Sequence, residues 1–221
     1  MKVLVIDVGG TNVKFLVSGR KTPRRFPSGP TLTPRKMADR VKELAADWKY
    51  DAVAIGYPGV IKQGRIVKDP QNLGPGWVAF DFKRAFGRPV KLMNDAAMQA
   101  LGSYKRGLLL FLGLGTGLGS ALVAGNVVVP MELAHLSHRN GTYENYMGLS
   151  GLRRVGVKKW RKHIADEARR LIAALNPDDV VFGGGTAKEL GKLPRGWRVG
   201  DNGNAFLGGY RLWKNETRKG R

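Results

Sequence analysis

Residues 2–17 read Lys2-Val3-Leu4-Val5-Ile6-Asp7-Val8-Gly9-Gly10-Thr11-Asn12-Val13-Lys14-Phe15-Leu16-Val17. Lys2 to Val8 is almost wholly β-branched or aliphatic, Gly9-Gly10 supplies a tight turn, and Asn12 to Val17 resumes an apolar run. Two such runs joined by a glycine turn signal a hairpin. The device recurs near 100 residues further on, where Gly107–Gly113 and Leu118–Ala124 flank Gly113-Leu114-Gly115-Thr116-Gly117-Leu118-Gly119. Gly115-Thr116 stands there as Gly10-Thr11 stands in the first copy. Each half then continues into helices and further strands. The repetition predicts an α/β protein of two lobes with a cleft between them. The expected divisions are an N-terminal lobe at 1–93 and a C-terminal lobe at 94–213. The last helix is expected to pack back on the N-terminal lobe, with a flexible tail at 214–221.

Between these landmarks the pattern is legible. Residues 19–32 are basic and rich in Pro, Gly and Ser, which predicts a loop or irregular edge strand. Thr33-Pro34 opens a helix with Met37, Val41, Leu44, Ala45 and Trp48 at helical spacing. A buried strand follows at Asp51–Gly56, a hairpin turning at Gln63-Gly64, and a Pro/Gly-punctuated loop at 69–80. A short helix near Asp81–Phe86 leads to the strand Pro89–Met93, and Asn94-Asp95 caps a helix to about Lys105. Strand continues at Asn126–Val129. Val157, Trp160, Ile164, Ala168, Leu171 and Leu175 mark one face of a long helix. The strand Asp179–Phe182 ends in Gly183-Gly184-Gly185, and Asn204–Trp213 is the final helix.

Composition narrows the classes. The 221 residues carry 38 Lys+Arg against 17 Asp+Glu, a formal net charge of +21, and no cysteine. Disulfides, thiolate metal sites and a cysteine nucleophile are excluded. No apolar run approaches a membrane span. The first ten residues break too early for a signal peptide, so a cytoplasmic protein is expected. The charge is spread through the chain, with 20 basic and 8 acidic residues in 1–120 and 18 and 9 in 121–221. It suits nucleic acid, anionic lipid or polyphosphate as partner, or serves only solubility.

Three glycine turns follow apolar strands, at 9–12, 113–119 and 183–186. Glycine lets backbone approach a ligand, successive amides can bind an anion, and Thr adds a donor. Each could equally be a tight hairpin turn; three together favour phosphate. No Gly-x4-Gly-Lys-Ser/Thr occurs, and Gly113–Gly119 leads into a strand, against a dinucleotide site.

Asp7-x-Gly-Gly-Thr-Asn, Asn94-Asp95-Ala96, Gly115-Thr116-Gly117-Leu118-Gly119 and Gly183-Gly184-Gly185, in this order, resemble the ROK group of sugar kinases. Within it the chain is similar to the polyphosphate glucokinases, through Gly117–Leu122, Val129–Leu136 and Tyr143-Glu144-Asn145-Tyr146. The likeness spans Lys2 to Trp213 and implies the two-lobed actin/ribonuclease-H-like fold with a central cleft. Ala134 replaces the usual Gly between Glu132 and His135. The Cys/His zinc motif common in the group is missing, so no zinc is expected. The chain is short for the group, and a strand starting at Lys2 leaves no room for the helix-turn-helix module of ROK repressors.

The resemblance implies a hexose kinase acting on the 6-hydroxyl of glucose or a similar hexose. Asp95 would be the catalytic base, although it could be only a helix cap. Asp7 would hold Mg²⁺ through water. Gly9, Gly10, Thr11, Asn12 and Lys14 would face the donor phosphates, with Gly115, Thr116, Gly117 and Gly184 as further phosphate contacts. Gly59, Asn94, Asp95, Glu132, His135 and Glu144 would bind sugar, Asn72 and Trp77 lying in a loop near it; Glu132 and His135 could instead be a surface pair. His138 and His163 read as surface or packing positions. The donor is expected to be polyphosphate, following Arg153, Arg154, Lys158, Lys159, Arg161, Lys162, Arg169 and Arg170, with ATP as a second donor. A homodimer is compatible with the group; a membrane partner is not expected, and no RNA-binding motif supports nucleic acid. The alternatives are an ATP-only kinase for mannose, fructose or an amino sugar, and an inactive polyanion- or nucleic-acid-binding protein on a kinase scaffold.

Overall fold

The computed structural model describes residues 1–125, 127–201 and 203–214. The chain divides into two compact units: Met1–Met98 with the chain from Ala205 onward, and Gln99–Asn204. The tail expected at 214–221 lies, beyond Lys214, outside the described residues, as does Asn126.

The first unit is built on β1 (Val3–Val8), β2 (Asn12–Val17), β3 (Arg24–Pro27), helix α1 (Pro34–Leu44), β4 (Ala52–Tyr57), the two-residue strands β5 (Ile61–Lys62) and β6 (Arg65–Ile66), α2 (Phe82–Phe86) and β7 (Val90–Asn94). Its sheet runs β3-β2-β1-β4-β7. β1 pairs antiparallel with β2 and parallel with β4, which pairs parallel with β7. β4 is buried along its whole length, as a strand covered on both faces must be. Thr33 caps α1 by accepting from Lys36 N, with Pro34 in the first turn, and Met37, Ala38 and Val41 face the core. The β5–β6 turn takes positive φ at Gln63 and Gly64 (51° and 73°).

Helix α3 (Asp95–Ser103) follows β7 directly. The second unit then holds β8 (Leu108–Leu114), β9 (Leu118–Ala124), β10 (Val127–Met131), the short pair β11 (Ser137–His138) and β12 (Gly141–Thr142), α4 (Tyr143–Met147), α5 (Leu149–Leu175), β13 (Asp179–Gly183) and β14 (Trp197–Val199). Its sheet order is β10-β9-β8-β13-β14. β8 pairs antiparallel with β9 and parallel with β13, which pairs parallel with β14. Counted within each unit, both sheets have the order 3-2-1-4-5 with the same directions. The repeat read from two glycine turns is therefore a repeat of the whole five-stranded sheet. Leu110, Leu112, Trp160, Ile164 and Phe182 lie at the heart of the second core.

The final helix α6 (Asn204–Lys214) contributes Ala205 and Phe206 to the core of the first unit, and Trp213 Nε1 donates to Val53 O at 3.1 Å.

Of the two readings of 19–32, the edge strand holds: it is β3, at the margin of its sheet. Two local readings change. The long helix starts at Leu149, with non-helical backbone at Gly156 (φ 74°, ψ 161°), so the apolar stripe beginning at Val157 marks only the part after this break, and Val157 itself is exposed. The β11–β12 hairpin, α4 and β14 had no sequence signal, since elements of two to five residues carry no measurable period.

Gly209 of α6 sits where a side chain would collide with Val5 of β1. Gly209→Ala is expected to lower stability by about 1–3 kcal/mol through overpacking, read as a fall in thermal midpoint of about 2–4 °C per kcal/mol. An unchanged midpoint would show that α6 is not seated on β1.

Candidate active site

In the first unit the functional groups gather at the C-terminal ends of β1, β4 and β7. The 9–12 turn is tight: Gly9 N donates to Asn12 O (3.0 Å), and Ser28 Oγ donates to Gly9 O (2.7 Å). The Gly9 amide is thus used inside the turn. Neither Gly9 nor Gly10 takes positive φ. At position 9 glycine serves for space, since a Cβ there would meet Asn12 O at 3.0 Å; at position 10 a Cβ would make only ordinary contact with the Asn72 side chain at 3.8 Å. Thr11 is exposed and Asn12 partly buried. Asp7 stands opposite Lys14 across the β1–β2 pair.

Asn94 ends β7, and its Oδ1 accepts from Ala97 N (3.0 Å) while Nδ2 donates to Gly59 O (3.1 Å). Asn94 is therefore the cap of α3 and the tie to the 58–60 loop. Asp95 opens the helix partly buried, its Oδ1 accepting from Ala96 N (2.8 Å). Asn72 lies exposed beside Gly10, on a loop that Asp69 organises by accepting from the amides of Gly76, Trp77 and Val78. Trp77 is fully buried, its ring 5.6 Å from that of Tyr57 and tilted at 44°, with Nε1 donating to Gly74 O. It packs in the core of the first unit.

In the second unit the 113–119 turn closes on itself, Gly115 N donating to Gly117 O (3.1 Å), and receives Leu149 N on Gly115 O (2.9 Å) and Thr186 N on Leu114 O (3.1 Å). The start of α5 and the 183–186 turn are thereby bonded to it. Gly184 has φ 84°, and any Cβ there would strike Leu114 O, so both conformation and space demand glycine. Gly117 lies against α4: a Cβ there would come 2.7 Å from Oε2 of Glu144, the far end of a flexible side chain. The carboxylate expected to bind sugar therefore rests on the turn expected to bind phosphate. Glu132 and His135 are exposed, 3.9 Å apart as an i, i+3 pair, on the short 133–135 turn. Leu136 O accepts from Tyr143 N (3.0 Å), which ties that turn to α4.

Two groups outside the expected set stand out. His138 and Glu167 are both buried, 3.5 Å apart at their nearest atoms. The signal for Glu167 was present: it falls beside Ala168 within the apolar stripe of a basic helix.

Burial pushes the Asp7 carboxyl up to about 6, with Lys14 only partly opposing it. An ionised Asp7 is thus short of compensating charge. Among the described residues no group of three or more His, Asp or Glu gathers as a metal site. One undercompensated carboxylate fits a Mg²⁺ ion held chiefly by phosphate oxygens and water rather than by a protein cage.

A family model described as "ROK family" matches residues 3–130. A polyphosphate glucokinase of Mycobacterium tuberculosis is 24% identical over 209 residues, covering 85% of this chain and 78% of that protein. A kanosamine kinase of Amycolatopsis mediterranei is 25% identical over 251 residues, covering 86% and 82%. Among solved structures, an inorganic polyphosphate/ATP-glucomannokinase from Arthrobacter sp. strain KM superposes with a TM-score of 0.82 at 23% identity, covering 98% of this chain and 99% of that one. That likeness shows the α/β, actin-like fold.

Asp7 gives a pH test. Its folded pKa of about 6 exceeds the unfolded 3.8, so the folded state binds more protons between these values, and stability falls as pH rises through them. Asp7→Asn removes that penalty. In cation-free buffer the variant is expected to match wild type near pH 3.5 and to exceed it above pH 6 by on the order of 1–3 kcal/mol. Parallel pH–stability curves from thermal melts would overturn this.

Proposed function

The chain belongs to the ROK family, and from that we propose that it is a hexose kinase passing a phosphoryl group from polyphosphate, with ATP as a second donor, to the 6-hydroxyl of glucose or a similar hexose. The observation that carries this reading is the seating of the Glu144 carboxylate on Gly117: an acceptor for sugar hydroxyls touches a turn suited to phosphate. A reaction joining hydroxyl to phosphate needs that adjacency.

Roles follow residue by residue. Asp95 takes the proton of the 6-hydroxyl as the oxygen attacks phosphorus. It stands at the start of α3 beside Asn94, which caps the same helix and holds Gly59 O. Asn94 and the backbone of Gly59 take sugar hydroxyls in the first unit; Glu132, His135 and Glu144 take them in the second. Gly10, Thr11, Asn12 and Lys14, with Gly9 shaping their turn, meet donor phosphate. Gly115, Thr116, Gly117 and Gly184 form the other phosphate contacts. When bound at Asp7, Mg²⁺ would supply neutralising charge to the donor phosphates.

Polyphosphate as donor is supported by the M. tuberculosis relative and by the exposed cations of α5. Arg153, Lys158, Lys159 and Lys162 are exposed there. Arg161 donates to Glu189 O (2.5 Å), which fixes it beside the segment that follows Gly184. No helix among the described residues is long and apolar enough to cross a membrane, and a cytoplasmic site of action is part of the reading. A second reading, an ATP-dependent kinase for an amino sugar, is favoured by the kanosamine kinase relative.

Initial rates on glucose, mannose, fructose and amino sugars, each with polyphosphate and with ATP, test both readings. Polyphosphate with glucose is expected to be the fastest pair, its KM rising more steeply with salt than that for ATP. Asp95→Asn is expected to lower kcat by about 10²–10⁴-fold with a thermal midpoint near wild type. Absence of phosphorylation with every pair would replace the kinase by a polyanion-binding protein.

A further inference from the structure

Helix α4 is five residues long. So short a helix has no stability of its own, and its direction must come from what it packs on. One end is held by the capping box between Thr142 and Asn145, and Met147 O accepts from Trp160 Nε1 at 2.9 Å. These bonds fix the termini. What sets the rotation of α4 about its axis, and with it the aim of Glu144, is the pair of tyrosines that flank that residue.

Both tyrosines close on one buried imidazole. Tyr143 stacks on His138 at 5.2 Å and 11°, and Tyr146 stands edge-on to it at 4.8 Å and 88°. Behind the ring lies Glu167 of α5, 1% exposed, with Oε1 3.5 Å from His138 Nε2. Burial and a hydrogen bond to this carboxylate raise the Tyr143 phenol above its ordinary range. His138 Nε2 and Glu167 Oε2 have no hydrogen-bond partner among the described residues. A buried polar pair left partly unsatisfied is less favourable than apolar side chains of the same shape. Its position explains its presence, because an imidazole gives Tyr143 a flat face and Tyr146 a ring edge, while the carboxylate fixes the Tyr143 hydroxyl.

We propose that His138 and Glu167 are positioning residues: through Tyr143 and Tyr146 they fix the rotation of α4 so that the Glu144 carboxylate stays on Gly117. The pair touches no substrate. Its functional consequence rests on the reading of Glu144 as a sugar ligand; its structural consequence does not.

The decisive variant is the double change His138→Leu with Glu167→Leu. It removes both buried polar groups, and the partly exposed Tyr143 hydroxyl, which loses its carboxylate acceptor, can turn to water, so the full-length protein is expected to keep a thermal midpoint near wild type. Backbone hydrogen exchange is expected to speed up in 142–149 and 115–119 and nowhere else. With D-glucose and polyphosphate, KM for glucose is expected to rise about tenfold, with kcat and the KM for polyphosphate within about twofold. Glu167→Gln, which still accepts from Tyr143, is expected to restore most of the wild-type KM. Should the double variant not fold, Glu167→Gln beside His138→Gln is read by the same exchange measurement. Unchanged exchange at 142–149 overturns the proposal, as does acceleration spread evenly through residues 99–204. Glu144→Gln separates the two claims. If it leaves the glucose KM unaltered, or wild type does not turn over glucose, the sugar reading fails, and the exchange result alone then decides whether the pair positions α4.

Discussion

The Glu144 carboxylate fills the volume that any side chain at position 117 would need. Much of the second unit follows from that contact. The carboxylate lies over the turn at 117, and α5 begins where Leu149 N reaches Gly115 O. Gly184 joins the arrangement with its φ of 84° and its approach to Leu114. Three stretches remote in sequence, the 113–119 turn, the α4–α5 junction and the 183–186 turn, are thus packed around a few atoms of backbone.

The distribution of acid explains the net charge of +21 better than the distribution of base. Carboxylates are scarce, and many are engaged by backbone amides rather than by surface cations. Asp69 takes three amides of its loop, Asp51 takes Lys2 N, Asp178 takes Leu108 N and Asp81 caps α2. Glu144 and Glu167 are drawn inward. Some ion pairs remain, such as Arg24 with Asp47 and Arg198 with Asp179. Exposed cations such as Arg153, Lys158, Lys159 and Lys162 line α5. Such a surface attracts polyanions without a dedicated groove, and its effect weakens with salt.

Long, periodic elements were legible. β1 and β2 declare themselves as apolar runs bounded by turn residues and fall within a residue or two of expectation; α1 starts at the expected Thr33-Pro34 but ends at Leu44, so Ala45 and Trp48 pack from beyond it. The glycine turns were legible as turns, but not what makes glycine necessary in them. Gly9, Gly10, Gly115 and Gly117 take no positive φ. At 9 the glycine answers to the Asn12 carbonyl, which no local pattern reveals. Trp77 illustrates the same limit: nothing in its Pro/Gly loop indicates that the fold buries it against Tyr57.

The amino-acid order by itself determined the α/β class, the internal repeat, the cap at Asn94-Asp95 and the family, because each rests on short-range spacing or on an ordered set of motifs. Tertiary structure alone decided that Glu144 meets Gly117 and that His138 and Glu167 are buried together. The physical reason is separation along the chain. Contacts between residues tens of positions apart depend on how sheets and helices stack, and identical side chains in another packing would be ordinary surface.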